Sequence, residues 1–206
     1  MLTPAEQADG WRSLFDGVTT NGWRGYKRPD MPSGWRVVDS ALTRVADGGD
    51  IVTVDQFGNF ELALEWKVAP AGNSGIFYRV VEGPDHTYQS GPEMQVLDDA
   101  RHPDGKGRLT SAGSLYGIYA APAGIVKPAG EWNAVRIVAN GPHVEHWLNG
   151  AKVVDYELGS PDWERLVAAS KFHEWPTYGR AKRGHIALQD HGDWVAYRNI
   201  KIKVLP

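Results

Sequence analysis

Short apolar runs with a two-residue period follow one another along this chain, separated by Gly, Pro, Asn and Asp at intervals of roughly ten residues. In NFELALEWKVA, aromatic and aliphatic residues alternate with glutamates, as expected for a strand with one face in a core. The runs that fit a strand are WRVVDSALTRV (35–45), NFELALEWKVA (59–69), SGIFYRVV (74–81), PEMQVLD (92–98), EWNAVRIVANG (131–141), HVEHWLNGAKVVDYEL (143–158), GHIALQD (184–190) and WVAYRNIKIKVL (194–205). Their spacing predicts an all-β sandwich or barrel rather than alternating strand–helix units.

Two segments interrupt the alternation with helix signals. TPAEQADGW offers Thr3 as an N-cap, followed by proline and then acidic residues. SPDWERLVAASKF offers Ser160 as a cap, again followed by proline and acidic residues. The sequence therefore predicts one or two short helices, and we expect Leu166 and Val167 to hold the second one against a sheet.

Two Asn–Gly pairs mark hairpin turns. Asn and Gly tolerate the positive φ angles that a type I′ turn requires. Asn149–Gly150 lies between two apolar runs, and Asn140–Gly141 lies between two others, with Pro142 directly after it. Both pairs are therefore expected to connect neighbouring antiparallel strands.

Composition narrows the class of protein. The chain has 206 residues and shows no repeat or linker, which predicts a single domain over residues 1–206. The net charge of −3 gives no indication of a nucleic-acid partner. The absence of cysteine excludes disulfides, thiolate metal sites and a cysteine nucleophile. No apolar run is long enough for a membrane span. The nine Trp and eight Tyr residues suit a β-rich core or platforms that stack on sugar rings.

PEMQVLD carries the most suggestive polar residues. With a two-residue period, Met94 and Val96 point to one face, while Glu93, Gln95 and Leu97 point to the other. This face is either an ordinary solvent-exposed sheet surface or the floor of a cleft. Neighbouring strand candidates add further reactive side chains, namely Tyr78, Arg79, Gln189, Asp190, His191 and Arg198. An acid, a histidine and fixed cations on one sheet can move protons and stabilise a developing oxyanion, which favours the cleft.

The glycine-rich stretch RHPDGKGRLTSAGSLYG (101–117) has no periodicity and follows this strand directly. Long ordered loops in compact domains usually border a binding site, and a flexible excursion is the equal alternative. Lys127, before a proline turn, is a further candidate cation. No phosphate loop, dinucleotide fingerprint or nucleophile elbow is present, and no cofactor is expected.

Metal binding is not predicted. His143 and His146 form an HxxH pair, but on a strand they point to opposite faces. These two residues, like His86, His102 and His173, are expected to be surface hydrogen-bonding groups. The acidic residues Asp98, Asp99, Asp190 and Asp193 do not form an EF-hand loop.

Several motifs in this order resemble the 3-keto-disaccharide hydrolase family, long classed as a domain of unknown function. They are GWRSLFDGVTTNGWRGY (10–26), NSGIFYR (73–79), PEMQVLD (92–98), GSLYGIY (113–119), KPAGEWN (127–133), HWLNG (146–150), GHIALQDHG (184–192) and VAYRNIKIKVL (195–205). The resemblance covers nearly the whole chain. It implies a concanavalin A-like β-sandwich, a jelly roll of two antiparallel sheets whose concave face holds carbohydrate.

The resemblance also implies a chemistry. Glycosidases of this fold place two acids on one strand, but the second position here is Gln95, which argues against a two-carboxylate mechanism. A 3-keto sugar needs only a base, an acid and a group that stabilises an enolate. The hypothesis gives the proton transfers to Glu93 and His191. The substrate-binding residues are expected to be Arg79, Gln95, Asp98, Tyr116, Lys127 and Gln189.

The alternative is a non-catalytic carbohydrate-binding module, with a shallow site that is indifferent to the charge of Glu93. In either case the expected partner is a carbohydrate. The family resemblance implies a location in the bacterial cell envelope, periplasmic or extracellular, if a signal peptide has been removed, and a cytoplasmic one otherwise.

Overall fold

The computed structural model describes residues 2–206, which form thirteen β-strands and two α-helices. The helices are α1 (Pro4–Ala8) and α2 (Pro161–Ala169), and three 3₁₀ turns cover Thr87–Gln89, Pro103–Lys106 and Lys171–Glu174. The strands are β1 (Trp11–Ser13), β2 (Trp23–Gly25), β3 (Trp35–Val38), β4 (Ala41–Arg44), β5 (Ile51–Thr53), β6 (Phe60–Val68), β7 (Asn73–Val80), β8 (Glu93–Leu97), β9 (Asn133–Asn140), β10 (His143–Leu148), β11 (Ala151–Glu157), β12 (His185–Leu188) and β13 (Val195–Val204).

The strands form two antiparallel sheets within the described residues. The large sheet has the order β11-β10-β9-β6-β13-β4-β3, and β1 pairs with β13. The small sheet has the order β2-β5-β12-β7-β8. The inward faces of both sheets supply one hydrophobic core, which includes Phe60, Trp66, Ile76 and Met94. This arrangement confirms the predicted all-β sandwich of two antiparallel sheets.

Each predicted run contains at least one strand. Three short strands, β1, β2 and β5, were not predicted, because three residues are too few for a two-residue period to be visible. Asn149 and Gly150 both have positive φ, as the sequence predicts. The other turn differs, since Asn140 pairs with His143 and only Gly141 has positive φ there. Gly141 and Pro142 are thus the central residues, as in a type II′ turn.

Both helices begin where the sequence predicts. The Thr3 side chain accepts a hydrogen bond from the Glu6 N–H, and the Ser160 side chain accepts one from the Trp163 N–H. Val167 is buried and Leu166 packs at the edge of the core, together with the fully buried Trp163. Among residues 2–206, neither helix is long and apolar enough to cross a membrane.

A buried polar network crosses the core between the sheets. His146 Nε2 lies 3.0 Å from the Tyr78 hydroxyl, which also bonds to the Tyr156 hydroxyl. His146 Nδ1 lies 3.2 Å from the carbonyl oxygen of Gly113. Burial lowers the pKa of His146 to about 4, so the ring is neutral. The expectation that His146 is a surface group is therefore wrong, whereas His143 does lie on the opposite, outer face.

Candidate active site

The outer face of the small sheet is apolar along one row and ends in an acid. Val52 pairs with Ala187, Ala187 with Phe77, and Phe77 with Glu93, so the four lie side by side across β5, β12, β7 and β8. The first three belong to a small hydrophobic cluster that Tyr88 helps to cover. Glu93 therefore extends an apolar surface, and only 6% of it is exposed.

The next row on the same face is polar. The N–H of Gln189 donates to the Gly75 carbonyl at 3.0 Å, and Gly75 pairs with Gln95. Leu188 pairs with Ile51 of β5, and continuation of this register by one residue places Asp50 beside Gln189. Alternation along four strands thus brings an acid and two amides together two residues away from the apolar row.

Gly75 leaves the space that the Glu93 carboxyl group occupies. A Cβ at Gly75 would lie 2.8 Å from Glu93 Cδ and closer still to Oε1. The carboxyl group therefore leans along the sheet from the apolar row over Gly75. This position lies between Gln95 and Gln189, which flank Gly75 on β8 and β12. A glycine in a strand interior weakens a sheet, and here it makes room for a functional group.

The two amides next to this carboxyl group carry buried polar atoms that residues 2–206 leave without a hydrogen bond. Both polar atoms of the Gln95 amide are buried without a hydrogen-bond partner among the described residues, and so is Gln189 Oε1. Buried amide groups are nearly always hydrogen-bonded in native proteins, because an unpaired one costs free energy. Gln95 is only 1% exposed, so its free donors and acceptor indicate a position prepared for a ligand.

Burial raises the pKa of Glu93 to about 8. Lys171 opposes this effect, whereas the charges of Asp50 and Asp104 add to it. The Asp50 carboxylate accepts hydrogen bonds from the Thr87 hydroxyl and the Asp190 N–H. In contrast, no group of residues 2–206 donates a hydrogen bond to the Glu93 carboxyl group. It is a carboxyl group with unusual basicity and free oxygens.

The pH dependence of stability follows from this pKa. The folded pKa of about 8 exceeds the unfolded value of 4.5, so the acid stabilises the fold less and less as pH rises from about 4.5 to 8. Each pKa unit corresponds to about 1.4 kcal/mol. The Glu93→Gln variant mimics the protonated acid. Its melting temperature is expected to exceed that of the wild type, and the difference should increase from pH 5 to pH 9. A margin that does not change with pH in thermal melts contradicts this assignment.

The segment after β8 forms one wall of the site. The Gly113 N–H donates to the Gln95 carbonyl, the Gln95 N–H to the Ser114 carbonyl, and the Tyr116 N–H to the Glu93 carbonyl. These bonds place the Tyr116 ring next to Glu93, with its hydroxyl 3.3 Å from Asp104 Oδ2. The glycine-rich loop is therefore ordered against the edge of β8 and borders the site.

Aromatic rings form the opposite rim. Tyr88 stacks on His86 with ring centroids 5.1 Å apart and meets Trp175 edge-on at 5.2 Å. Lys171 Nζ lies 4.6 Å from the centroid of the Tyr116 ring and 5.8 Å from that of Tyr88. Rings around a polar floor can stack on the apolar faces of a sugar.

Three of the expected binding residues are engaged elsewhere. The Arg79 guanidinium donates to the carbonyls of Gly58 and Gly141. Lys127 is exposed, and its Nζ lies 3.2 Å from the Trp132 carbonyl. Asp98 accepts hydrogen bonds from the backbone N–H groups of residues 71 and 100. The described contacts thus explain all three as supports of loops.

His191 is exposed in the turn after β12. Its neighbour Asp190 fixes this turn, because its carboxylate accepts the Gly48 and Gly49 N–H groups and binds Arg44. Gln189, two residues before His191, belongs to the polar row beside Glu93. The structure therefore brings together Glu93, Gln95, Gln189 and Tyr116, and it holds His191 in an anchored turn near that row.

Sequence reasoning missed two charged residues of the site, Asp50 and Lys171. Asp50 directly precedes β5, and recognition of that short strand would have placed it on the face of Gln189. Lys171 comes from a 3₁₀ turn after α2, and nothing in the local pattern indicates that it lies over the Tyr116 ring.

A cluster of three side chains with metal-ligating atoms lies on the other sheet. One ligand atom each of His143, Glu145 and Asp155 lie within 4.8 Å of one another on the outer face of the large sheet. Lys152 forms ion pairs with both carboxylates, which supplies positive charge at this place without a metal.

Comparison with known proteins decides the family. Residues 10–203 match the model of the 3-keto-alpha-glucoside-1,2-lyase-like domain. The chain belongs to this family. A relative from Bacteroides thetaiotaomicron, named 3-keto-disaccharide hydrolase, is 40% identical over 96% of this chain and 79% of its own length. The family resemblance seen in the sequence motifs is thereby confirmed.

Solved structures agree with this assignment. A proposed glycosyl hydrolase from Parabacteroides distasonis ATCC 8503 is 36% identical, with a TM-score of 0.92 over 100% of this chain and 99% of its own. The β-glucanase of Bacillus licheniformis is 12% identical and has a TM-score of 0.53 over 95% and 97% of the two chains. The latter likeness concerns the fold alone and confirms the jelly-roll architecture.

Proposed function

We propose that this protein cleaves 3-keto-glycosides or 3-keto-disaccharides by proton abstraction at C2, elimination at C1 and hydration. As a member of its family, the chain is a glycoside-cleaving enzyme that acts on carbohydrate. The observation that supports the proposed mechanism is the position of the Glu93 carboxyl group. It lies over Gly75, between two amides whose buried polar atoms have no hydrogen-bond partner within residues 2–206.

The reaction balances without an external reagent. A base takes the C2 proton, and the C2–H electron pair forms an enolate with the C3 ketone. The enolate re-forms the ketone as C1=C2 forms and the C1–O bond breaks, and the leaving oxygen takes a proton. Water then adds its oxygen to C1 and a proton to C2, which gives net hydrolysis. One proton-transfer pair and a stabiliser for O3 suffice.

Glu93 suits the role of the base. Its raised pKa makes the ionised form more basic than an ordinary carboxylate, and its oxygens are free to approach a substrate carbon. His191 is proposed as the second proton-transfer group, which protonates the leaving oxygen. Gln95, Gln189 and Tyr116 are proposed to bind the hydroxyls and the ring of the sugar.

The test is incubation of the protein with 3-keto-trehalose and a 3-keto-β-glucoside in deuterated water, with unoxidised trehalose as the control. The proposal expects sugar release from a 3-keto substrate, with deuterium at C2 of the 3-keto product beyond that of product incubated without enzyme. Equal release from unoxidised trehalose, or release without deuterium at C2, contradicts the mechanism. Full activity of the His191→Ala variant would contradict the proposed role of His191.

Gln95→Leu is expected to separate binding from stability. Because the Gln95 amide has no hydrogen-bond partner within residues 2–206, its removal should leave the melting temperature unchanged or higher. Loss of one or two hydrogen bonds to the substrate should raise KM by about tenfold. Asn133→Leu is the control, since that buried amide accepts hydrogen bonds from Lys127 and Asn149 and its loss should lower the melting temperature. A large loss of stability in Gln95→Leu would show that the amide serves the fold.

An envelope location belongs to the same proposal and rests on the family resemblance. Fractionation of cells that express the native gene tests it, because the proposal expects the protein outside the cytoplasm.

A further inference from the structure

Lys171 holds a positive charge at the rim of the site. It opens the 3₁₀ turn Lys171–Glu174, which follows α2, and the Phe172 next to it is fully buried. Its Nζ lies 4.6 Å from the ring centroid of Tyr116, 5.2 Å from that of Phe172 and 5.8 Å from that of Tyr88. The side chain is thus held by aromatic rings of three different segments.

This ammonium group has no carboxylate partner in the part of the chain that the structure describes. No acidic oxygen of residues 2–206 lies within 4.0 Å of Nζ. Its charge nevertheless acts on Glu93, together with the opposing charges of Asp50 and Asp104. A cation over aromatic faces is attracted by them but keeps its hydrogen-bond donors free. The group is therefore available to an anionic or carbonyl oxygen of a ligand.

The other cations that the sequence offered for this site are engaged elsewhere: Arg198 is paired with Glu65, and two more are bound to main-chain carbonyls. The guanidinium of Arg79 lies between Gly58 and Gly141, and the ammonium of Lys127 lies at Trp132. A proton abstraction next to a ketone places negative charge on the ketone oxygen, and a fixed cation lowers the energy of that charge. The Lys171 ammonium group lies over the ring of Tyr116, whose N–H bonds to the carbonyl of Glu93, the residue that would remove the proton.

We propose that the Lys171 ammonium group binds the O3 oxygen of the 3-keto sugar and stabilises the enolate that forms when Glu93 takes the C2 proton. This inference rests on the proposed function and adds a catalytic residue to it. The aromatic rings of Tyr88, Tyr116 and Phe172 position the ammonium group.

The test compares Lys171→Met and Lys171→Arg with the wild type on a 3-keto-glycoside. Lys171→Met should lower kcat by about 10²- to 10³-fold, as loss of one oxyanion-stabilising donor does, and Lys171→Arg should restore part of it. The control is Lys67→Met. Lys67 also lies over aromatic rings, 4.7 Å from the centroid of Trp132, but on the outer face of the large sheet.

A second readout follows Glu93 rather than turnover. Without the Lys171 charge, the pH at which the loss of stability from Glu93 titration levels off should move upward in thermal melts, because Lys171 lowers the pKa of Glu93 in the folded state. Lys67→Met should leave it in place. If the wild type releases no sugar, the proposed function fails. If the wild type is active and Lys171→Met equals Lys67→Met in turnover, the inference about Lys171 fails while the proposed function stands. A lower melting temperature with unchanged titration of Glu93 also overturns it.

Discussion

Glu93→Gln is expected to lower kcat/KM on a 3-keto-glycoside by about 10²- to 10⁴-fold, the range that loss of a general base produces. Glutamine keeps the size of the side chain and resembles the protonated acid that burial favours, so the fold should be retained. The measurement is steady-state release of sugar. Glu131→Gln, a change at an exposed loop residue, is the matched control and should be fully active.

The pH dependence of the wild type distinguishes the two roles of Glu93. If the ionised carboxylate is the base, kcat/KM rises with pH and levels off near the pKa of about 8. If the protonated form acts as an acid, kcat/KM falls through the same pH range. We expect the rise. Full turnover in Glu93→Gln would remove Glu93 from the mechanism altogether.

Gly75→Ala is expected to lower kcat by at least about 10²-fold, because misplacement of a catalytic group by about 1 Å costs that much. The new methyl group would occupy the space of the Glu93 carboxyl group, with Cδ only 2.8 Å away. Glu93 must then leave its place between Gln95 and Gln189. Turnover and melting temperature are measured together, since overpacking typically costs about 1–3 kcal/mol.

Gly83→Ala is the control for this substitution. A Cβ at Gly83 meets no atom within 4 Å, so this variant should match the wild type in both measurements. Equal turnover of Gly75→Ala and Gly83→Ala would show that the position of the Glu93 carboxyl group over Gly75 is irrelevant to the reaction.

The period-two pattern was sufficient to place Glu93 and Gln95 on one face, because β8 is a regular strand of five residues. It could not show that Gly75 lies opposite Gln95 or that Gln189 follows on the next strand, since sheet register depends on contacts distant in sequence. Asp50 was missed because it precedes β5, a strand of only three residues that the two-residue period does not reveal.

Arg79 shows where alternation fails as a guide. Its φ of 53° lies in the left-handed region, and the pairing of β7 with β12 shifts register between His185 and Ala187. Such a bulge redirects the side chain. The guanidinium therefore binds the loops at Gly58 and Gly141. The ammonium group that lies over the Tyr116 ring comes instead from a turn after a helix, at Lys171.

The strand that carries Glu93 is also the last strand of the small sheet, with its outer side covered by residues 113–116. An uncovered edge strand offers unpaired N–H and C=O groups to other chains and is a route to aggregation. The bonds from the Gly113 and Tyr116 N–H groups close this edge with the same segment that brings the Tyr116 ring to the carboxyl group. Local opening of that segment would therefore dismantle the site and expose a self-associating edge in one event, which couples loss of function to loss of solubility.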